Sequence, residues 1–117
     1  MDNYYTMYID DLRTPIKDFD YIARSFEEAV EIFKKYGVAN FISFDHDLGM
    51  VNGKICKSGF DIVKWIVKND LNKEYKIPLD FSFKVHSQNP IGKKNIESLL
   101  IQYLESKSAE NIYNKQT

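Results

Sequence analysis

The chain reads as short apolar blocks that end on turn-forming or acidic positions. Tyr4 to Ile9 is aromatic and apolar and stops at Asp10-Asp11. Such a run, bounded by turn residues, predicts a buried parallel strand. A polar loop with Pro15 follows, and Tyr21 to Arg24 predicts a short edge strand. Ser25 then opens a helix, with Glu28 placed to complete a capping box. Phe26, Ala29, Val30 and Phe33 keep the i, i+3, i+4, i+7 spacing of a core-facing stripe, and Gly37 ends the helix.

Phe41 to Phe44 predicts the next strand, which stops at Asp45; Asp47 to Lys57 reads as a loop with two glycines. Ser58 and Asp61 form a second capping pattern, followed by the one-sided stripe Ile62, Val63, Ile66 and Val67. Phe81 to Val85 predicts a further strand after Pro78, ending at His86. Asn89-Pro90 supplies an N-cap and a first helical position, and Ile96, Leu99, Leu100, Tyr103 and Leu104 form the buried face of the last helix. Strands alternating with helices at this spacing predict an α/β fold with a short parallel sheet. Right-handed crossovers put its strands in the order 2-1-3-4, with helices on both faces. The expected division is one α/β domain over residues 1–106 and a polar C-terminal tail over 107–117, which frays.

Composition narrows the class. A chain of 117 residues is one domain, and 44% hydrophobic residues suffice for a packed core. The net charge of −1 excludes the strongly basic footprint of a protein that grips duplex nucleic acid. The single cysteine, Cys56, forms no internal disulfide, and no Cys/His spacing suits zinc. No apolar run approaches the ~20 residues that span a bilayer, and the acidic start Met1-Asp2-Asn3 carries no apolar leader. The expected setting is the cytoplasm, with no membrane partner. Trp65, beside an apolar stripe, reads as packing.

Three strand ends carry concentrated polar chemistry: Asp10-Asp11-x-Arg13, Asp45-His46-Asp47-Leu48-Gly49, and His86-Ser87-x-Asn89-Pro90-x-Gly92. Each has an ordinary explanation when taken alone. The aspartates can terminate strands, His46 can be a structural histidine, and Ser87 and Asn89 can be caps. Those explanations do not account for three loaded strand ends in one chain. In open α/β sheets ligands bind beyond the carboxyl ends of the strands, so the fold brings all three clusters, with both histidines of the chain, to one rim.

The residue types suggest the chemistry. Asp10, Asp11 and Asp45 can hold a hard cation such as Mg²⁺. His46 and His86 offer a general acid and a general base near neutral pH. The N–H groups of the helix opened by Pro90 favour an anion, and Gly92 lets a phosphate approach the backbone. Lys93 and Lys94 sit in that first turn, where an anion offsets their conflict with the helix dipole, or they are two solvated surface lysines. Arg13 is a further candidate phosphate clamp.

Taken in order, these clusters resemble the cyclic-phosphate-processing receiver-like domain family. The resemblance rests on Asp10-Asp11-Leu12-Arg13-Thr14-Pro15, Ser43-Phe44-Asp45-His46-Asp47-Leu48-Gly49, Gly59-Phe60-Asp61 and His86-Ser87-Gln88-Asn89-Pro90-Ile91-Gly92. It covers the chain from about Tyr5 to the last helix, and it is the ordered set that makes it specific. The resemblance implies a trimmed, flavodoxin-like receiver fold. It places Asp10, Asp11 and Asp45 where ordinary receivers bind Mg²⁺ and accept a phosphoryl group. Ordinary receivers also carry a lysine at the end of a fifth strand. No such strand or lysine follows here, and the two histidines are not receiver-like, which argues against a phosphorelay switch.

The function expected from residues and resemblance together is a phosphoesterase acting on a cyclic phosphate in a nucleotide, a nucleotide-derived signal or an RNA end. Asp45, His46, Asp47 and His86 form the catalytic group. Arg13, Ser87, Asn89, Gly92, Lys93 and Lys94 bind substrate, and Asp10, Asp11 and Asp45 hold the metal. The alternative is a non-catalytic sponge that binds and sequesters a cyclic nucleotide second messenger. The partner in either case is a small nucleotide or cyclic-phosphate ligand.

Overall fold

The computed structural model describes residues 4–116; the start Met1–Asn3 and the last residue, Thr117, lie outside the described residues. The main sheet contains β1 (Thr6–Ile9), β2 (Tyr21–Ala23), β3 (Phe41–Phe44) and a last strand (Ser82–Val85), all parallel. A two-residue hairpin, β4 (Met50–Val51) and β5 (Lys54–Ile55), follows β3, so the last strand of the sheet is β6. The sheet order is β2-β1-β3-β6, the expected 2-1-3-4 arrangement of its four strands.

The helices form where the caps predict. In α1 (Phe26–Tyr36) the Ser25 hydroxyl accepts the Glu28 N–H, while the Glu28 carboxylate reaches back to the N–H of Arg24, one residue before the cap. Gly37 ends α1 at φ +88°, a conformation that favours glycine. In α2 (Gly59–Leu71) the reciprocal box of Ser58 and Asp61 is complete. Such caps contribute about 1 kcal/mol each.

Alternation along the strands then sets the core. Met7 and Ile9 of β1, and Ile42 and Phe44 of β3, are fully buried against Ala29 and Phe33 of α1, Ile62 and Ile66 of α2, and Ile96 and Leu100 of α3 (Pro90–Gln116). Helix α1 packs on α2 and α2 on α3, so all three helices lie on one face. The expectation of helices on both faces is corrected here. The β1–β2 connection, residues 10–20, contains Pro15 and no helical periodicity, and it forms a loop where a second helical layer would start. That loop lays Phe19 over Tyr8 and Phe41, ring centroids 5.3 and 6.1 Å apart, on the helix-free face.

The last helix is longer than expected and continues past Ser106. Its Lys107 donates to Asp70 at 2.8 Å, which ties this part of α3 to the end of α2. No helix among the described residues is long and apolar enough to cross a membrane.

Candidate active site at the sheet rim

The carboxyl ends of β1, β3 and β6 meet at one rim, because register pairs Ile9 with Phe44 and Phe44 with Val85. The residues that follow, Asp10, Asp45 and His86, therefore stand side by side. Asp10 is 1% exposed. Its Oδ1 accepts the N–H groups of Leu12 and Arg13 at 2.9 and 2.8 Å. Its Oδ2 accepts Arg13 Nε at 3.0 Å and faces His86 Nε2 at 3.0 Å. Burial pushes the Asp10 carboxyl up, but the N–H groups of Arg13 and Leu12, the His86 bond and the Arg13 guanidinium outweigh it and hold it below its ordinary value.

An ionised Asp10 only accepts, so the proton between the two lies on His86 Nε2. His86 Nδ1 then accepts from the Ser43 hydroxyl at 2.8 Å. The ring also stacks on Tyr8, centroids 4.4 Å apart. Burial lowers the His86 pKa, against the opposing pull of Asp10 and Asp45, so the ring is neutral near pH 7. Both of its nitrogens are occupied by protein groups.

Asp45 is buried, and its carboxyl is raised, first by burial and then by the charge of Asp10. Its Oδ1 accepts the His46 N–H at 2.8 Å, and its Oδ2 lies 3.9 Å from the Arg13 guanidinium. Arg13 thus bridges the two carboxylates. Arg24, which the sequence did not single out, pins the loop from beneath by donating to the carbonyls of Asp10 and Arg13 and to the Thr14 hydroxyl.

His46 is arranged differently from His86. Its Nδ1 lies 2.8 Å from Asp47 Oδ1, and this bond, more than any other contact, lowers the Asp47 carboxyl. Among the described residues nothing hydrogen-bonds its Nε2. The ring lies flat against Gly92, where an added Cβ would come within 2.3 Å of it. Asn89 joins the two elements: its Nδ2 donates to both oxygens of Asp47 at 3.4 Å, and its Oδ1 caps α3 by accepting the Gly92 N–H at 3.0 Å. Ser87 Oγ accepts the Asn89 N–H and shapes the turn into that cap.

A cavity of about 520 Å³ opens between these groups, lined by Asp10, Asp11, Arg13, Asp45, Asp47, Ser87 and Asn89. Of the expected site residues, His46 and His86 touch it through Asp47 and Asp10 without lining it. Gly92 makes room for His46, and Lys93 and Lys94 are exposed in the first turn of α3, outside the cavity wall. Four carboxylates face one guanidinium across the wall, and Asp10, Asp45 and His86 each bring a possible ligand atom within 4.8 Å of the others. This excess of oxygen donors fits a hard divalent cation. Ser43, Tyr8 and Arg24 complete the site, and their partners lie too far away along the chain for spacing to have revealed them.

The sequence pattern of one known family, described as the cyclic-phosphate processing receiver domain, matches residues 5–102. No curated protein and no solved structure matches the chain.

Proposed function

The chain belongs to the cyclic-phosphate processing receiver domain family, and on that premise we propose that its rim is the active site of a phosphoesterase that opens a cyclic phosphate. The observation that carries this reading is the His46–Asp47 pair beside the acidic cavity. Asp47 fixes the proton of His46 on Nδ1, which leaves the Nε2 lone pair as the base. His46 takes a proton from an attacking water as the new P–O bond forms. The ring P–O bond then breaks, and the same proton passes to the departing alkoxide, giving a phosphate monoester. Arg13, Ser87 and Asn89 hold the phosphate oxygens, while Gly92 seats the His46 ring and Lys93 and Lys94 add positive charge from outside the cavity wall. His86 positions Asp10.

Asp10 and Asp45, with Asp11 beside them, would hold a divalent ion such as Mg²⁺, and that ion would supply positive charge to the phosphate oxygens. The ligand is a small nucleotide or cyclic-phosphate compound of the cytoplasm.

A second reading, a non-catalytic sponge for a cyclic nucleotide, is favoured by two observations: both nitrogens of His86 are occupied, and His46 does not line the cavity. Incubating the protein with 2′,3′-cyclic nucleotides, cyclic mono- and dinucleotides and cyclic ADP-ribose derivatives, with Mg²⁺ or EDTA, separates the two. Product in molar excess over protein, lost in His46→Ala by at least about 100-fold and reduced by EDTA, supports the esterase. Ligand depleted from solution and recovered intact after denaturation supports the sponge.

A further inference from the structure

The helix-free face of the sheet carries a second cavity of about 670 Å³, within the ~300–1,000 Å³ of small-molecule sites. Its walls are Tyr8 and Phe41 from the sheet and Phe19 from the β1–β2 loop. Three cations, Arg13, Lys17 and Lys84, stand around these rings, and no carboxylate is among the lining residues. The electrostatics are therefore the reverse of those at the acidic rim. The two cavities are neighbours, and Arg13 lines both. The Asp10–His86 bond forms the partition between them, since Asp10 lines the rim cavity and His86 the sheet-face cavity.

We propose that the sheet-face cavity is a nucleoside subsite. It takes the base and ribose of a nucleotide whose phosphate reaches the rim past Arg13. Aromatic side chains give any base a stacking surface, worth ~1–3 kcal/mol per base; here the half-buried Phe19 and Phe41 offer it, since Tyr8 is buried and already stacked on His86. Arg13, shared by both walls, suits the anionic part of the same molecule, which the carboxylates of the rim alone would repel. A bare cyclic phosphate needs no stacking surface. Stacking also tolerates all bases, so this subsite selects for a base more than for its identity. The inference rests on the rim being the phosphate end of the site.

The test uses the full chain and three probes: adenosine 5′-monophosphate for binding, and adenosine 2′,3′-cyclic phosphate and the base-free glycerol 1,2-cyclic phosphate for turnover. Titration with the monophosphate, followed by NMR, is expected to shift the ring resonances of Tyr8, Phe19 and Phe41. Phe41→Leu, which keeps apolar volume but removes the π face, is expected to weaken that binding about ten-fold. Lys84→Glu, an exposed substitution that leaves the core alone, is expected to raise KM more for the adenosine substrate than for the base-free one. Shifts confined to Asp47, Ser87 and Asn89, or no saturable shift at millimolar nucleotide, overturn the subsite. Equal turnover of both cyclic phosphates with no ring shifts would leave the esterase standing and remove the subsite. Ring shifts without turnover of either would do the opposite.

Discussion

Nε2 of His86 lies 3.0 Å from Oδ2 of Asp10, which joins the ends of β1 and β6 across the intervening β3. Asp10 also accepts two backbone N–H groups and Arg13, so it organises the rim as well as charging it. Asp10→Ala strands these donors in a buried place and is expected to cost roughly 3–5 kcal/mol of stability. Asp10→Asn is expected to cost less, because its carbonyl still accepts. Urea denaturation of both variants checks the order, and an Asp10→Ala loss no larger than that of a surface substitution would refute it.

Asp45 is held at a cost. Its carboxyl is buried beside Asp10 and raised. A raised carboxyl contributes fully to stability below its unfolded pKa, and that contribution is lost as pH rises through the folded value. At neutral pH its ionised form therefore opposes folding. Asp45→Asn is expected to stabilise the protein by about 0.5–2 kcal/mol, as relief of active-site strain commonly does, while turnover and Mg²⁺ binding are lost. Thermal melts of both forms should show the gap widening from acid to neutral pH.

Asp10, Asp47, Asp61 and Asp70 all have lowered carboxyls. Their stabilisation is complete above the ordinary carboxylate value of ~4 and is lost as pH falls. His86, lowered chiefly by burial, acts in the same direction at higher pH, because the unfolded imidazole takes its proton near ~6.5. Urea midpoints at about pH 7, 5 and 3.5 should fall steadily. His86→Gln should flatten the first part of that decline only.

Gly92 has no side chain because the His46 ring occupies that space. Gly92→Ala is expected to push the ring out of line with Asp47 and to lower kcat by about 100-fold, the scale of a misplacement near 1 Å. The His46 ring resonances should move with it. Unchanged kcat with a displaced ring would remove His46 from the chemistry.

Lys107 donates to Asp70, which also accepts the Ile77 N–H and the Tyr103 hydroxyl. Lys107→Ala is expected to cost roughly 1.5 kcal/mol, the low end for bonds to a charged group because Lys107 is one-third exposed. Differential scanning calorimetry checks it. No loss would support placing the end of the domain at residue 106.

The fold is legible in the sequence wherever one physical rule acts alone. Strand Phe41–Phe44 and the capped starts at Ser25 and Ser58 are placed by apolar runs and caps. The hairpin at Met50–Ile55 is not seen, because two-residue strands carry no periodicity. Its turn, Asn52-Gly53, both at positive φ, was the available signal. Seating all the helices on one face depends on a connection that fails to form a helix, which periodicity cannot predict. At the site, the acidic and histidine residues declare themselves as strand ends. Ser43 does not, because it sits within a strand and its partner His86 is 43 residues away. The unequal roles of the two histidines are likewise fixed by neighbours, Asp10 and Ser43 for one, Asp47 and Gly92 for the other.

The inner position of β1 also has a consequence for how the protein is made. The rim needs β6 to dock on β3 before His86 can reach Asp10, across a sequence separation of 76 residues. Pairings this distant close late, since their loop entropy is offset only after nearer contacts form. A nascent chain carries β1, both loops and two helices well before it carries a working centre. The assembled rim is therefore among the last features to form, and the appearance of ligand binding there during refolding would time the docking of β6.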